Sequence, residues 1–231
     1  MKPLMIPFAM LLLVSVLSAQ SISSNKDIAI LEVIYTVDIQ MNKNASMPPG
    51  TENVEELMES VESMLLCGRT KSLFFTPHTF DKKIVAEAVA SILLQADKRY
   101  FTDMVSRERV MEEPTDGDIL LIEIDIPINW NISEETTEIN GLKCVYAEGI
   151  IKTPGFSDEK VSAWFTTAYP LSFGPCYLSG LPGLILKATI GGNKTYSAKS
   201  IKNITDKGKV ITPFPKGKRI KSSEFYTNLR K

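Results

Sequence analysis

From residue 27 to 40 the chain alternates in a way that predicts a strand: Ala29, Leu31, Val33, Tyr35, Val37 and Ile39 form one apolar row. The other row starts apolar at Ile28 and Ile30 and turns polar at Glu32, Thr36 and Asp38. The Asn, Pro and Gly of residues 42–50 read as a loop, and Thr51 reads as an N-cap followed by Glu52, Glu55 and Glu56. Val54, Leu57, Met58, Val61, Met64 and Leu65 then recur at spacings of three and four, which predicts an amphipathic helix packed on a core. A short strand at 72–76 is followed by a second predicted helix, capped by Asp81, with Ile84, Val85, Ala88, Val89, Ile92 and Leu93 on its apolar face. Residues 110–142 read as an acidic loop, a β-branched strand at 119–128 and a second acidic loop. Beyond the Asn140-Gly141 turn come strands at 142–152, 160–169, 184–190 and 194–202, separated by turn residues at Thr153-Pro154-Gly155 and Gly191-Gly192-Asn193. The pattern predicts an α+β fold, predominantly antiparallel β, as a curved or half-barrel-like sheet with one or two helices in the N-terminal half.

Composition changes the picture at both ends. Lys2, an apolar stretch over residues 4–17 and Ser18-Ala19 before Gln20 read as a secretory signal peptide of residues 1–19, leaving residues 20–231 as one domain. Pro7 and Ser15 break that stretch, which is shorter than the roughly 20 apolar residues of a bilayer-spanning helix, so no transmembrane segment is expected after cleavage. Hydrophobic residues make up 44% of the chain and charged residues 23%, which excludes a disordered chain. A net charge of −1 removes the overall basic field of a nucleic-acid binder. The charge is nonetheless polarised. Residues 110–142 carry nine acids and no Lys or Arg, whereas residues 207–231 carry eight Lys or Arg against one acid, Glu224. The favoured reading folds this basic C-terminal segment back on the acidic body; the alternative has it touch anionic lipid or polysaccharide.

Chemistry-bearing residues are sparse. Three cysteines, Cys67, Cys144 and Cys176, allow at most one internal bridge whose connectivity the sequence does not fix; Cys144 and Cys176 are the candidate pair, and the alternatives are three buried, inert thiols or a reactive or metal-bound Cys. No Cys-x-x-Cys or His-x-x-x-His spacing points to a metal site, and Asp116-Gly117-Asp118 is too little for calcium. Nucleophile-base catalysis would have to run through the only histidine, His78, in a Pro-flanked loop. Phosphate-binding, dinucleotide and His-Glu-x-x-His motifs do not occur. No residue is therefore assigned a catalytic role, no cofactor is expected, and the chain reads as a non-enzyme.

The most specific segment is Ala163-Trp164-Phe165-Thr166, then Pro170-Leu171-Ser172-Phe173-Gly174-Pro175, then Gly180-Leu181-Pro182-Gly183-Leu184-Ile185-Leu186-Lys187-Ala188. It resembles the signature of the GLPGLI family. Trp130-Asn131-Ile132, Gly141-Leu142-Lys143-Cys144 and the closing 220–225 segment resemble further motifs of that family. The resemblance implies an exported protein of Bacteroidetes-type cell envelopes, periplasmic or associated with the outer membrane, often encoded near outer-membrane transport components and without established enzymatic chemistry. Ala168-Tyr169 stands where many members have Glu-Ile, and Cys176 where an aromatic residue is common.

Read physically, Leu181-Pro182-Gly183-Leu184 places Pro and Gly where a type II turn wants them. The following strand would put Leu184, Leu186, Ala188 and Ile190 on one face and Ile185, Lys187 and Thr189 on the other. Gly174-Pro175 and Gly180 bracket an excursion holding Cys176, Tyr177 and Leu178, which is either a lip over a cavity or a tight connection. Trp164, Phe173, Gly174, Pro175, Gly180, Leu181, Pro182, Gly183, Leu184 and Ile185 are the candidate binding or motif residues.

With too few helices to cover the sheet, one concave face stays available for a hydrophobic ligand or an outer-membrane partner, and this is the leading functional expectation. The alternative is a soft-metal (copper) or thiol-redox protein using Cys144 and Cys176. A third reading, surface adhesion, uses the basic tail.

Overall fold

The computed structural model describes residues 27–41, 47–115, 119–153, 156–214 and 217–228. The predicted leader, most of the 42–50 loop, the Asp116-Gly117-Asp118 triplet and the Pro154-Gly155 turn residues lie outside them. The N-terminal half contains β1 (Asp27–Ile28), β2 (Leu31–Ile39), α1 (Val54–Ser60), β3 (Glu62–Cys67), β4 (Lys71–Phe75), α2 (Val85–Leu94), β5 (Arg99–Asp103) and β6 (Glu108–Pro114). Next come β7 (Ile119–Glu123), β8 (Asn131–Ile139), β9 (Leu142–Ile151), β10 (Glu159–Thr166), β11 (Leu184–Ile190) and β12 (Lys194–Asn203). The chain closes with β13 (Val210–Ile211), β14 (Lys218–Lys221) and α3 (Ser222–Asn228).

Twelve of these strands form one curved, open sheet in the order β14-β7-β6-β5-β4-β3-β2-β12-β11-β10-β9-β8. Every pairing in it is antiparallel except that of β14 with β7. The expected α+β class with a predominantly antiparallel curved sheet is what the chain adopts. Registers align Val33 with Leu65, Leu65 with Phe74, Phe74 with Tyr100, Tyr100 with Met111 and Met111 with Ile122, so one apolar row crosses six strands. Val54 and Met58 of α1 and Ala86, Ala90 and Leu94 of α2 pack into the same core. Behind β3 to β5, Leu66 and Phe101 pack with Ala29, Ile204 and Ile211 beneath the small β1–β13 ribbon.

Three elements depart from the sequence pattern for identifiable reasons. The first helix ends at Ser60, and the residues predicted to continue it form β3. Val61, Ser63, Leu65 and Cys67 are buried on one side of β3, while Met64 and Leu66 pack into the core behind. A strand buried on both faces offers apolar residues at helix-like spacings as well. Thr51 does not cap α1 through its side chain: its hydroxyl donates to the Pro48 carbonyl at 2.6 Å. In α2 the small residues Ala86, Ala90 and Ser91 face inward, which rotates Ile84, Val85 and Ile92 to the surface. The second acidic loop is instead β8, an edge strand whose Glu134, Glu135, Thr136, Thr137 and Glu138 are solvated, so no apolar alternation marked it.

The basic segment folds back, and does so as structure. β14 pairs with β7, Arg219 reaches Glu108 at 2.6 Å and Glu123 at 3.0 Å, and Lys209 meets Glu32 at 2.7 Å. α3, which the sequence pattern did not announce, is pinned where Ser222 and Ser223 donate to the Asp125 carboxylate at 2.7 Å each. Among the described residues no helix is long and apolar enough to cross a membrane.

Candidate functional site

The curl of the sheet brings β5, β6 and β7 opposite β10, β11 and β12, and the helices cover only part of the hollow between them. What remains is a cavity of about 590 Å³, within the roughly 300–1,000 Å³ range of small-molecule pockets. Tyr100, Met111 and Ile122 line one wall; Ile190, Lys194 and Tyr196 line the other. Cys176 and Tyr177 form its lip, and Phe156 and Tyr226 stack edge to face at its rim with centroids 5.7 Å apart. Two other hollows, of about 560 and 580 Å³, open on the outer surface of β9 and β10 and beside α2. The first is lined by Tyr146, Glu148, Lys152 and Lys160 on the outer face of the sheet, and the second mainly by apolar residues such as Met41, Ile92 and Leu93, so neither lies inside the curl.

The lining mixes apolar residues with many polar ones, among them Gln95, Lys98, Thr153, Ser157, Glu159, Asn193, Lys194 and Ser222 beside the phenols. The Tyr100 hydroxyl donates to Gln95 Oε1 at 2.9 Å, and the Cys176 thiol donates to the Tyr196 hydroxyl at 3.1 Å. Burial pushes the Tyr100, Tyr177 and Tyr196 phenols up, so all three remain neutral donors, and it raises the Cys176 thiol to about 11. Lys98 pairs with Glu113 at 3.0 Å. Burial pushes Glu159 up and Lys194 down from their ordinary values. These two sense each other's charge, but they form no ion pair among the described residues.

None of the ten motif residues lines this cavity; the structure places them beneath and around its lip. Phe173, Leu181, Leu184 and Ile185 are fully buried in the core, Gly174, Pro175 and Gly183 are buried, and Pro182 and Gly180 are exposed. Trp164 is half-buried against Tyr146, with ring centroids 4.9 Å apart. The Ile185 amide donates to the Phe173 carbonyl at 2.9 Å, Phe173 bridges Ser179, and the Trp130 indole donates to the Ser179 carbonyl at 2.9 Å. Tyr35 donates to the Ile185 carbonyl at 2.5 Å from the floor of the core. Together these bonds fix where the 175–179 excursion leaves the sheet, and hence where Cys176 and Tyr177 stand.

Two expectations about this motif change. Gly183 is not at positive φ, so the type II turn does not form. Gly183 is instead needed for close approach, since a Cβ there would sit 2.2 Å from the Thr166 carbonyl oxygen. Gly180, at φ +95°, and Cys176, at φ +53°, take the left-handed conformations of the excursion. The simple alternation of β11 also fails. An extra residue, Leu186, lies between the Lys187–Trp164 and Ile185–Phe165 pairs, so Ile185 joins Ala188 and Phe165 in one cluster while Leu184 and Leu186 pack in the other.

Cys144 and Cys176 do not form the candidate disulfide; all three cysteines are free and buried, the other arrangement the sequence left open. Each of the two thiols has its own oxygen partner, the Leu142 carbonyl for Cys144 and the Tyr196 hydroxyl for Cys176. Among the described residues no three His, Cys, Asp or Glu side chains gather in reach of one ion. His78 stacks on Phe80, with ring centroids 4.5 Å apart, away from the cavity.

Sequence reasoning found the lip and missed the walls. The signal for one wall was available: Lys194 shares its face of β12 with Tyr196 and Ala198, a lone cation on an apolar row. Tyr100, Met111 and Ile122 became wall residues only through cross-strand register, which a single sequence does not display.

Comparison with known proteins yields one family model and a set of structures. The model of a family described as "Protein of unknown function (Porph_ging)" matches residues 152–187, the stretch that carries β10 and most of the Gly180 to Ala188 motif. No curated protein matches the chain. A structure of PNGF-II is similar with a TM-score of 0.54 and 16% identity, over 87% of this chain and 33% of that one. Its second crystal form gives 0.49 and 15%, over 87% and 32%. The chain thus spans about a third of the PNGF-II chains it matches, and at this identity the likeness concerns fold alone. A domain from Vibrio parahaemolyticus assigned to outer membrane lipoprotein sorting aligns over 78% of this chain and 86% of that one. Its TM-score of 0.26 and 12% identity are too low to say anything of this chain.

Proposed function

We propose that this chain is an exported, non-catalytic binding protein of the cell envelope, related to the GLPGLI family, that holds a hydrophobic ligand inside its curled sheet. The observation that carries the reading is the cavity under the Cys176–Tyr177 lip, walled by Tyr100, Met111, Ile122 and Tyr196. The cavity has the volume of a small-molecule site, and its mixed lining offers both apolar contact and groups that can orient a ligand. The Porph_ging match lies on the segment that also carries the GLPGLI resemblance, and both fall on the elements that support the lip. Placement in the envelope, and association with an outer-membrane transport component, follow from that resemblance.

The test is uptake of a neutral apolar fluorophore, N-phenylnaphthylamine, by ligand-stripped protein. Saturable uptake at one site is expected, and Ile124→Arg, on the half-buried rim of the cavity, should abolish it while leaving the fold intact. Absence of saturable uptake by the parent chain would overturn the reading.

A further inference from the structure

Resting on the cavity reading, we propose that the ligand is an amphiphile with an anionic head, its head seated on Lys194 and its chain lying along Met111, Ile122, Ile124 and Ile126. Different segments contribute different chemistry to the cavity lining, with Ser222 and Tyr226 of α3 beside the isoleucines. Gln95, Lys98, Asn193 and Lys194 gather where α2 ends and β12 begins, while Ile122, Ile124 and Ile126 run along β7 and the segment after it.

Lys194 is the informative residue. It lines the cavity, half-buried, on the same face of β12 as the buried Tyr196. Its ammonium makes no hydrogen bond or ion pair among the described residues, whereas Lys98 is already paired with Glu113. Burial disfavours its charge and Lys98 adds repulsion; Glu159 lies in range to oppose this, while the Cys176 thiol, raised by its own burial, stays neutral beside it. A cation partly removed from water without a partner is costly. A carboxylate or other anionic head would supply the missing charge-assisted hydrogen bonds, with the Tyr177 and Tyr196 phenols as neutral neighbours.

Calorimetric titration of the full chain with dodecanoate, dodecanol and acetate tests this, together with Lys194→Met, Lys194→Arg and Glu159→Gln. The expected result is dodecanoate bound more tightly than dodecanol, and acetate not bound. Lys194→Met should lower dodecanoate affinity about tenfold or more, the size of a charge-assisted hydrogen bond, and leave dodecanol unchanged. Lys194→Arg should retain most of the affinity, and Glu159→Gln should raise it by removing a competing charge. Unliganded Lys194→Met should also melt higher than the parent, which shows that the variant folds and that the charge is held for a ligand. Equal binding of dodecanoate and dodecanol, unaffected by Lys194→Met, would overturn the anionic head and leave the cavity reading standing. Binding of acetate as tightly as dodecanoate would reduce the site to one for small anions and overturn the amphiphile. Failure of both long-chain probes, together with failure of N-phenylnaphthylamine, would overturn the cavity reading itself.

Discussion

Replacing Gly183 with alanine separates two explanations of the motif. The added Cβ would stand 2.2 Å from the Thr166 carbonyl oxygen and 2.7 Å from its carbon, whereas Cβ atoms essentially never come within 3.0 Å of such atoms. The obstacle is backbone at the buried end of β10, so no side-chain rotation relieves it, and the strand end or the excursion must move by close to an ångström. Overpacking of this kind costs about 1–3 kcal/mol, and the stiffer unfolded chain returns about 0.4–1 kcal/mol. Together these figures place Gly183→Ala about 1–2 kcal/mol below the parent in a urea titration, or roughly 3–6 °C lower in melting temperature. Gly183→Asn should be no better. Gly192, at φ +75° with open space around its Cβ position, provides the contrast: Gly192→Ala is strained, and Gly192→Asn should recover much of the loss because asparagine tolerates left-handed backbone. If Gly183→Ala stayed within about 0.5 kcal/mol of the parent, the close-approach account would be refuted. If Gly183→Asn alone were tolerated, the turn account would return, since asparagine also suits that turn position.

Three further outcomes follow from particular contacts. Tyr35→Phe leaves the Ile185 carbonyl without its buried donor and should cost about 1–3 kcal/mol in the same titration; a neutral result would mean that the bond is not formed. Burial alone would raise the Asp125 carboxyl, but hydrogen bonds from Ser222 and Ser223 hold it below its ordinary 3.8. A depressed carboxyl contributes stability that is fully present above its ordinary value and lost as pH falls through the lower folded one. Hydrogen exchange should therefore show α3 protected at neutral pH and released only below pH 3.8, with Asp125→Asn weakening its docking at neutral pH; unchanged protection in acid would contradict this. Native protein should resist iodoacetamide at neutral pH and take up three equivalents once unfolded without reductant, because burial raises all three thiols and no bridge links Cys144 to Cys176. Uptake of only one equivalent would restore the bridge.

How much of this was legible depended on how far each residue's environment is local. Strands β9 to β12 were readable as runs rich in β-branched and aromatic residues between Gly-, Pro- or Asn-containing connections, although the alternation within β11 was not; Asn140 and Gly141 both sit at positive φ, as the β8–β9 hairpin requires. β3 was misread because burial on both faces imitates a helix period, and β8 because an edge strand solvated on both faces shows no period at all. The excursion at Cys176 and Tyr177 was visible between its Gly and Pro brackets, but whether it covered anything depended on register across many strands. The role of Gly183 was hidden for a similar reason: the carbonyl that excludes a side chain belongs to Thr166, on a different strand. Arg219 and Asp125 became partners through the parallel β14–β7 pairing and the docking of α3, which charge polarisation suggested only in outline.

The central claim, that the curl of the sheet is a ligand site, is tested most directly by native mass spectrometry of protein isolated from its native cells, beside a denatured, alkylated sample. The account predicts extra mass in the native spectrum equal to one anionic single-chain amphiphile, absent after denaturation and absent from Lys194→Met. Bare protein mass in the native spectrum, unchanged after incubation with dodecanoate, would contradict it.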